Sequence, residues 1–254
     1  MNTNKLDYSY HEPIESLNIR IDFHKKYSSF SLEKYISKTY KFSDKVILDI
    51  GSGNGNLTGI LSNSASLYIG LEKNLKSLLD AHEKFRNKNH IFFFNQNMDK
   101  SMFFPDNSFD YIFFIYSVYY TNDAKKLFSK CFRFLKKGGN IVLIGPAENN
   151  AWEIDDFCFQ LFGKKTLAQE RAKRIENEFS PLLESFGMEV NCNKINFDLQ
   201  FPDYNTFLRY ISATLQYRDS YIEGLDKRLA RSLIEKKYGK TLTKQSVVLC
   251  AEKK

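Results

Sequence analysis

A glycine-rich turn within residues 46–58, VILDIGSGNGNLT, is the part of the chain whose residue types and spacing could most directly do chemistry. Residues 46–48 form a short apolar run, typical of a strand buried on both faces, and Asp49 ends it. Three glycines follow at alternate positions, and apolar residues then recur at helical spacing. A strand, a glycine turn and a helix start leave backbone N–H groups unpaired, and glycine lets a ligand approach the main chain closely. The stretch therefore predicts a ligand-binding turn, and a tight turn that binds nothing is the alternative.

The spacing of these glycines restricts the ligand. A dinucleotide fingerprint requires Gly-x-Gly-x-x-Gly, and Asn56 stands at the position of its third glycine. Glu72, which ends the next predicted strand, follows Gly53 by 19 residues. In a doubly wound sheet this spacing places an acid beside the turn, where it can accept hydrogen bonds from ribose hydroxyls. A solvated glutamate at a strand end is the plainer interpretation.

The run Asp-x-Gly-x-Gly-x-Gly at residues 49–55 resembles motif I of the class I S-adenosylmethionine (SAM)-dependent methyltransferases. FPDNSFD at 104–110 and the leucine-lysine-x-glycine-glycine run at 135–139 carry the same resemblance, which is close from about residue 21 to 146. It implies an α/β, Rossmann-like sheet of seven strands in the order 3-2-1-4-5-7-6, with strand 7 antiparallel, helices on both faces and a helical cap. It also implies SAM as cofactor, S-adenosylhomocysteine as product, and an SN2 displacement by an O, N or C nucleophile.

The resemblance assigns residues to the cofactor. The glycine turn would hold the methionine end and Glu72 the ribose. Asn97 and Met98 stand where the family places its adenine-binding acid and the neighbour that stacks on the ring. Asp99 is the alternative adenine partner, because the loop is one residue longer than usual. The predicted cofactor-binding residues are Tyr27, Asp49, Gly51, Ser52, Gly53, Asn54, Gly55, Glu72, Lys73, Asn97, Met98 and Ile115.

Three residues are candidates for catalysis. Tyr120 stands where relatives commonly carry a histidine, and a phenol with a pKa near 10 is a poor base at neutral pH. Glu148 leaves the sheet at its carboxyl edge, where open α/β sheets bind substrates. His24 belongs to the segment IDFHKKYS at 21–28, which resembles the lid before motif I in bacterial small-molecule methyltransferases. The plainer interpretations are that Glu148 is a solvated loop acid and that the aromatic residues around His24 only pack. A strong base is unnecessary if the acceptor is already nucleophilic.

A repeated strand–helix order must position these residues. Buried strands are predicted at 46–48, 66–71, 90–94, 111–115 and 140–144, and two more from 187 and over 242–251. Helices are predicted after the glycine turn, after an N-cap at Asn74, and over 123–137 up to Gly138 and Gly139. Helical inserts at 151–186, with Ser180 and Pro181 starting a helix, and at 204–238 would form a substrate cap. One domain results: an N-terminal lid (1–43), a SAM-binding core (44–148), and cap inserts with the last two strands (149–254).

Composition bounds the remaining possibilities. The chain has 254 residues, and no apolar run approaches the ~20 residues that span a bilayer. The N-terminus has no signal-peptide h-region, and the four scattered cysteines are predicted to be reduced core residues of a cytoplasmic protein, with no metal site. The net charge is +7, mostly dispersed lysine, so a nucleic-acid partner is possible but less favoured than a small molecule. A monomer or homodimer that does not bind membranes is expected.

The acceptor class is the least determined property. A small organic acceptor is the default, because no Asn/Asp-Pro-Pro-Tyr follows the fourth strand and no paired-glutamate loop of protein arginine methyltransferases is present. An RNA or tRNA methyltransferase is the first alternative, which the positive charge permits. A SAM-binding protein without catalytic activity is the second, suggested by the tyrosine at position 120.

Overall fold

The computed structural model describes residues 13–163, 168–220, 232–233 and 235–254. The first 12 residues of the predicted lid, residues 164–167 of the first predicted insert, and residues 221–231 and 234 of the second lie outside the described residues. Seven strands form one sheet in the order β3-β2-β1-β4-β5-β7-β6, and β7 runs antiparallel to both β5 and β6. The predicted topology is confirmed. The strands are β1 Val46–Ile50, β2 Leu67–Glu72, β3 Ile91–Asn95, β4 Phe109–Ile115, β5 Leu135–Pro146, β6 Met188–Gln200 and β7 Thr241–Lys253.

Helices cover both faces of the sheet, and a third apolar cluster lies under the cap. One face packs against α5 and α8 through Phe128 and Leu183, and the other against α2 and α4 through Ile36 and Leu78. The cap cluster joins α1, α6 and α9. The helices are α1 Ile14–Tyr27, α2 Leu32–Thr39, α3 Thr58–Leu61, α4 Leu75–Phe85, α5 Ala124–Phe134, α6 Trp152–Phe162, α7 Ala168–Arg174, α8 Ser180–Ser185, α9 Tyr204–Ser212 and α10 Leu215–Ser220.

The third strand, predicted to be buried, is buried on one face only. β3 lies at the edge of the sheet and is paired only with β2 among the described strands. Phe93 packs against α4 through Phe85, whereas Phe92 and Phe94 are about half exposed on the opposite face. An apolar run of this length does not distinguish an edge strand from a central one, because both are rich in aromatic residues.

Two helix boundaries also differ from the prediction. The helix after the glycine turn is a single turn, α3. The α5 helix ends at Phe134, and Gly138 and Gly139 lie within β5, where Leu135 already pairs with Phe109 of β4. The predicted N-cap is confirmed, since the Asn74 side chain accepts a hydrogen bond from the Ser77 amide.

Residues 168–185 are one continuous helical segment, so Ser180 is already helical, as the first residue of α8, and is not the N-cap that was predicted; Pro181 lies in the first turn of α8. A π-helical turn, Ile175–Phe179, precedes Pro181 and accommodates the proline, which has no N–H to donate. Arg174, just before this turn, is buried. Its guanidinium donates to the carbonyl oxygens of Tyr119 and Thr121 at 2.9 and 2.7 Å and pairs with Glu178. It therefore ties this segment to the loop that follows β4.

All four cysteines are free, but they are not all core residues as predicted. Cys131 and Cys158 are buried, Cys250 is half-buried, and Cys192 is exposed on the edge strand β6, where alternate side chains face solvent. In the described parts of the chain, no helix is both long and apolar enough to cross a membrane.

Candidate cofactor and acceptor site

A cavity of about 900 Å³ opens at the carboxyl ends of the five parallel strands β1 to β5. Each strand delivers residues to its wall: 49–51 after β1, 72–73 after β2, 96–99 after β3, 115–117 after β4, and Pro146 and Glu148 after β5. Open α/β sheets bind ligands at this edge, because the loops that leave the strands converge there. The cavity lies near the upper end of the size range of small-molecule sites, so it has room for more than one ligand.

The glycine turn is shaped by its contact with β4. Gly51 has φ +85°, and a Cβ placed on it would lie 2.4 Å from Cβ of Ser117. Only glycine permits this approach. Gly53 faces open space and donates its N–H to Oε2 of Glu72 at 3.0 Å. Gly55, predicted to bind the cofactor, does not line the cavity and instead packs against Ala81 of α4.

Asp49 is the most unusual polar group beside the glycine turn. Its Oδ2 accepts a hydrogen bond of 2.7 Å from the hydroxyl of Tyr68, whereas Oδ1 is buried without a hydrogen-bond partner in the described structure. Burial raises the pKa of Asp49 to about 7, and the nearby Glu72 adds to the increase. The Ser52 hydroxyl is also buried without a partner. Unpaired buried polar atoms beside a cavity are costly unless a ligand satisfies them.

The predicted ribose and adenine residues all reach the cavity. Glu72 fixes the turn through Gly53 and also accepts from the Asn74 amide at 2.7 Å. Asn97 accepts from the Asp99 amide at 2.9 Å, and Asp99 accepts from the Thr121 hydroxyl at 2.6 Å. Asp99 thus joins the loops after β3 and β4. Asn97 and Asp99 both line the cavity, so the choice of adenine partner stays a prediction.

One face of α1 covers the cavity. Leu17, Ile21, His24 and Ser28, spaced as on one helical face, line it. Tyr27 was predicted to bind the cofactor, but it lies on another face and does not line the cavity. Its ring packs against Phe23 and Phe201, with centroids 5.4 and 5.7 Å away. Residues three apart on a helix are neighbours, so Tyr27 lies close to His24 but its ring is turned towards this aromatic cluster, and its contact with the cofactor stays a prediction.

His24 lines the cavity as a neutral imidazole. Its Nε2 lies 3.1 Å from the Tyr210 hydroxyl of α9. Burial lowers the pKa of His24 to about 3, and the positive charges of Lys244 and Arg20 contribute. An imidazole with so low a pKa can donate or accept a hydrogen bond, but it is a poor base at neutral pH.

Tyr120 and Glu148 also line the cavity, on the side away from β3. Tyr120 ends the 3₁₀ turn Val118–Tyr120, and the guanidinium carbon of Arg171 lies 5.7 Å from its ring centroid. The Glu148 side chain is about half exposed, and its carboxylate lies 3.4 Å from Nζ of Lys173. The three predicted catalytic residues therefore share one cavity. Ile115 and the remaining predicted cofactor residues, Ser52, Asn54 and Lys73, line it as well.

Several lining residues were missed, because they come from distant parts of the chain without a motif: Arg20, Tyr116, Ile154, Arg171, Phe197, Tyr210 and Lys244. Tyr116 adopts φ +53° at the end of β4, and its hydroxyl lies 2.7 Å from Oγ of Ser246. A positive φ at a tyrosine is uncommon and cannot be inferred from sequence. The helical period of α1 would have indicated Leu17 and Ile21.

The residues present fit SAM at the β1–β2 side. A buried carboxylate oxygen and a buried hydroxyl lack partners beside a glycine turn, and a second carboxylate lies at the end of β2. This set suits a ligand that carries an ammonium group and ribose hydroxyls. Among the described residues, no group of three or more His, Cys, Asp or Glu side chains is placed to hold a metal ion.

Comparison with known proteins gives consistent relatives. Residues 48–143 match a family model described as a methyltransferase domain. The chain is similar to a malonyl-[acyl-carrier protein] O-methyltransferase of Marinomonas sp. (strain MWYL1), with 25% identity over 153 residues. That match covers 59% of this chain and 56% of the relative, so the chain spans little more than half the length of this curated protein.

The fold is also found in solved structures. A putative methyltransferase from Bacillus halodurans C-125 gives a TM-score of 0.60 at 16% identity, covering 88% of this chain and 99% of its own. A geranyl diphosphate C-methyltransferase from Streptomyces coelicolor A3(2), in complex with Mg²⁺, geranyl diphosphate and S-adenosylhomocysteine, gives 0.53 at 16% identity. That match covers 87% of this chain and 76% of the other. At these identities the likeness shows the fold.

Proposed function

From the match of residues 48–143 to a methyltransferase-domain model we propose that the protein is a class I, SAM-dependent methyltransferase that methylates a small organic acceptor. The proposal rests mainly on one observation: Asp49 lines the cavity wall beside the glycine turn, and its Oδ1 is buried and lacks a hydrogen-bond partner in the described structure. A ligand with a positive charge at that point would offset the cost of burying the carboxylate.

We assign the following roles to the cofactor end. Asp49 accepts from the ammonium group of SAM, Glu72 accepts from the ribose hydroxyls, and Asn97 with Met98 lies against the adenine. When bound, SAM supplies an electrophilic methyl group on a sulfonium, so the protein has mainly to bind, orient and exclude water. Residues 44–148 would do this work, and residues 149–254 would cover the acceptor.

The residues at the side of the cavity away from the glycine turn, here called the acceptor end, favour an acceptor that is already nucleophilic or acidic. His24 has too low a pKa to collect a proton at neutral pH, and Glu148 pairs with Lys173 at the half-exposed rim. Tyr120 and His24 are therefore proposed to orient the acceptor through hydrogen bonds. O, N and C nucleophiles are all compatible with this role.

A small acceptor is supported by the cover over the cavity. α1, with the α9 residue Tyr210, places side chains over part of it, which limits the space left for an acceptor. Relatives named for malonyl-[acyl-carrier protein] and geranyl diphosphate point the same way. We further propose a cytoplasmic location and a monomeric or homodimeric state.

Two experiments test the function. Calorimetry should detect binding of SAM and S-adenosylhomocysteine, with NAD and ATP far weaker, because the turn lacks the third glycine of a dinucleotide site. Tight NAD binding without SAM binding would refute the proposal. Incubation with methyl-labelled SAM and a metabolite extract, followed by mass spectrometry, should then identify a labelled small molecule. Label found only in RNA would favour the nucleic-acid alternative, and no label in any fraction would favour a non-catalytic SAM-binding protein.

A further inference from the structure

Lys244 is a buried lysine whose side chain lines the cavity. It lies near the start of β7 and is only 8% exposed. In the part of the chain that the structure describes, no hydrogen bond or ion pair reaches its ammonium group. Burying an ammonium without a partner is costly, and lysine is rarely found in this state unless a ligand or a function compensates.

The sheet order places Lys244 at the acceptor end. β7 runs antiparallel, and Ser246 pairs with Pro146 at the end of β5, so Lys244 lies just beyond the carboxyl edge of the parallel strands. Three strand spacings separate β7 from β1, because β4 and β5 stand between them. At roughly 4.8 Å per spacing, this is about 14 Å. The ammonium therefore lies well away from the glycine turn.

The surroundings of Lys244 are apolar with a few charges. Phe197 is its neighbour across β6 and lines the cavity with Tyr210 and Ile154. Burial lowers the pKa of Lys244 to about 7, and the positive charge of Arg20 adds to this, whereas Glu153 and Asp155 oppose it. Glu153 is oriented towards the backbone, since its Oε1 accepts from the Thr243 amide at 2.8 Å.

We propose that Lys244 anchors the acidic group of the acceptor, which is an amphipathic carboxylic acid methylated at a different atom closer to β1. The inference rests on the proposed methyl transfer and specifies its acceptor class. A monoanion is favoured over a phosphate dianion, because Glu153 and Asp155 act on the same region and would repel the second charge. Phe197, Ile154 and Tyr210 would cover the apolar body of the acid.

Paired probes test this assignment. Octanoate, 3-phenylpropanoate and 4-hydroxyphenylacetate are each compared with the corresponding primary amide, by calorimetry on protein saturated with S-adenosylhomocysteine. An acid should bind about ten- to a hundredfold more tightly than its amide, the range expected for a charged hydrogen bond. Lys244→Met should reduce that ratio to about one, and Lys244→Arg, which keeps the charge, should retain a preference for the acid.

Controls separate this result from misfolding and from failure of the proposed function. Lys240→Met removes an exposed lysine four residues earlier, which donates to the Pro202 carbonyl, and should leave the acid preference unchanged. Affinity for S-adenosylhomocysteine is measured separately on each variant. If the wild-type protein fails to bind S-adenosylhomocysteine, the proposed function fails, and the acid–amide comparison is made on the free protein.

Three results would overturn the anchor. Wild-type protein that distinguishes no acid from its amide would show that the ammonium does not select for charge. A Lys244→Met variant that loses S-adenosylhomocysteine affinity would place the lysine in the cofactor site. If Lys244→Met kept the acid affinity of the wild-type protein but lost turnover on the labelled acceptor, Lys244 would be a proton acceptor instead of an anchor.

Discussion

The β1–β2 side and the β5–β7 side of the cavity each contain a buried charged group that the protein does not fully pair. Near β1 the group is a carboxylate oxygen of Asp49, and on β7 it is the ammonium of Lys244. The two differ in sign and in their supports: Asp49 is in β1 next to the glycine turn, which Glu72 fixes through Gly53, whereas Lys244 lies mostly among apolar side chains. In the roles proposed above, the first group would meet a positively charged ligand and the second a negatively charged one.

The largest effect is expected from Gly51→Ala, because the new Cβ would collide with Ser117. Overpacking and the positive φ together should cost about 3–5 kcal/mol of unfolding free energy, measured by urea denaturation. Ser117→Gly in the same chain should recover the part due to collision. Gly53→Ala is the matched control, since its φ is +57° but no atom lies within 4 Å of the added Cβ. Equal losses in the two single variants would show that the contact with β4 does not shape the turn.

Glu72→Ala should weaken SAM binding by about ten- to a few hundredfold, because two charge-assisted hydrogen bonds to the ribose are lost. Calorimetry measures the effect, and Glu83→Ala on the exposed face of α4 serves as the control. The acid–amide ratio of the probes should not change in Glu72→Ala. A changed ratio would show that the cofactor end and the acceptor end of the cavity are not independent of each other, contrary to the comparison above.

Asp49 should make both stability and cofactor binding depend on pH, with opposite signs. Its pKa of about 7 in the folded protein exceeds the ordinary value of 3.8. The folded state therefore retains a proton that the unfolded state releases, and this group's contribution to stability falls as pH rises from about 4 to 7. Affinity for S-adenosylhomocysteine should rise over the same range, by up to about tenfold per pH unit, as the carboxylate ionises.

The variant Asp49→Asn tests whether this carboxyl group causes both pH dependences. The variant should lose the pH dependence in both urea denaturation and calorimetry, and it should bind S-adenosylhomocysteine weakly at every pH. An affinity in wild-type protein that is flat between pH 5 and 8 would show that the unpaired oxygen does not meet the ammonium of the cofactor.

The smallest effect is expected at Tyr27. Its ring lies among Phe23 and Phe201, so Tyr27→Phe keeps the packing and should change SAM affinity by less than about twofold, below ~0.4 kcal/mol. A tenfold loss, measured by calorimetry, would mean that α1 rotates on cofactor binding and brings the hydroxyl into the cavity. Ser28→Ala, on the face that lines the cavity, provides the comparison within the same helix.

The cofactor end could be predicted because its chemistry is local in sequence. A strand, a turn and a helix start fix Asp49, Gly51 and Gly53 together, and the strand–helix repeat fixes the distance to Glu72. The side on which Gly55 lies could not be predicted, since alternate glycines do not reveal which one meets a neighbouring helix, here α4. The direction of Tyr27 depends on how α1 is rotated about its axis, which the packing of α6 and α9 determines.

The acceptor end could not be predicted because its residues meet only in three dimensions. Lys244 resembles any other lysine in an alternating strand, and its burial depends on the cap. Phe92 and Phe94 show the reverse case, since an apolar run became an exposed edge strand. In both cases the surroundings of a strand decide the exposure of its side chains, the cap at β7 and the sheet edge at β3, and strand composition alone does not encode these surroundings.

Arg174 has a consequence for how ligands reach the cavity. Its buried bonds to Tyr119 and Thr121 hold the helical segment 168–185 in place, so that side cannot open without breaking two charge-assisted hydrogen bonds. α1 is held over the cavity without a buried charged bond of this kind, by the His24–Tyr210 and Asn18–Asn54 hydrogen bonds, the exposed Glu15–Lys76 ion pair and the packing of Phe23. We therefore expect the methyl donor and the acceptor to enter and leave the cavity through the same opening, beneath α1. Turnover should then show substrate inhibition, because a high concentration of acceptor would obstruct the exchange of spent cofactor.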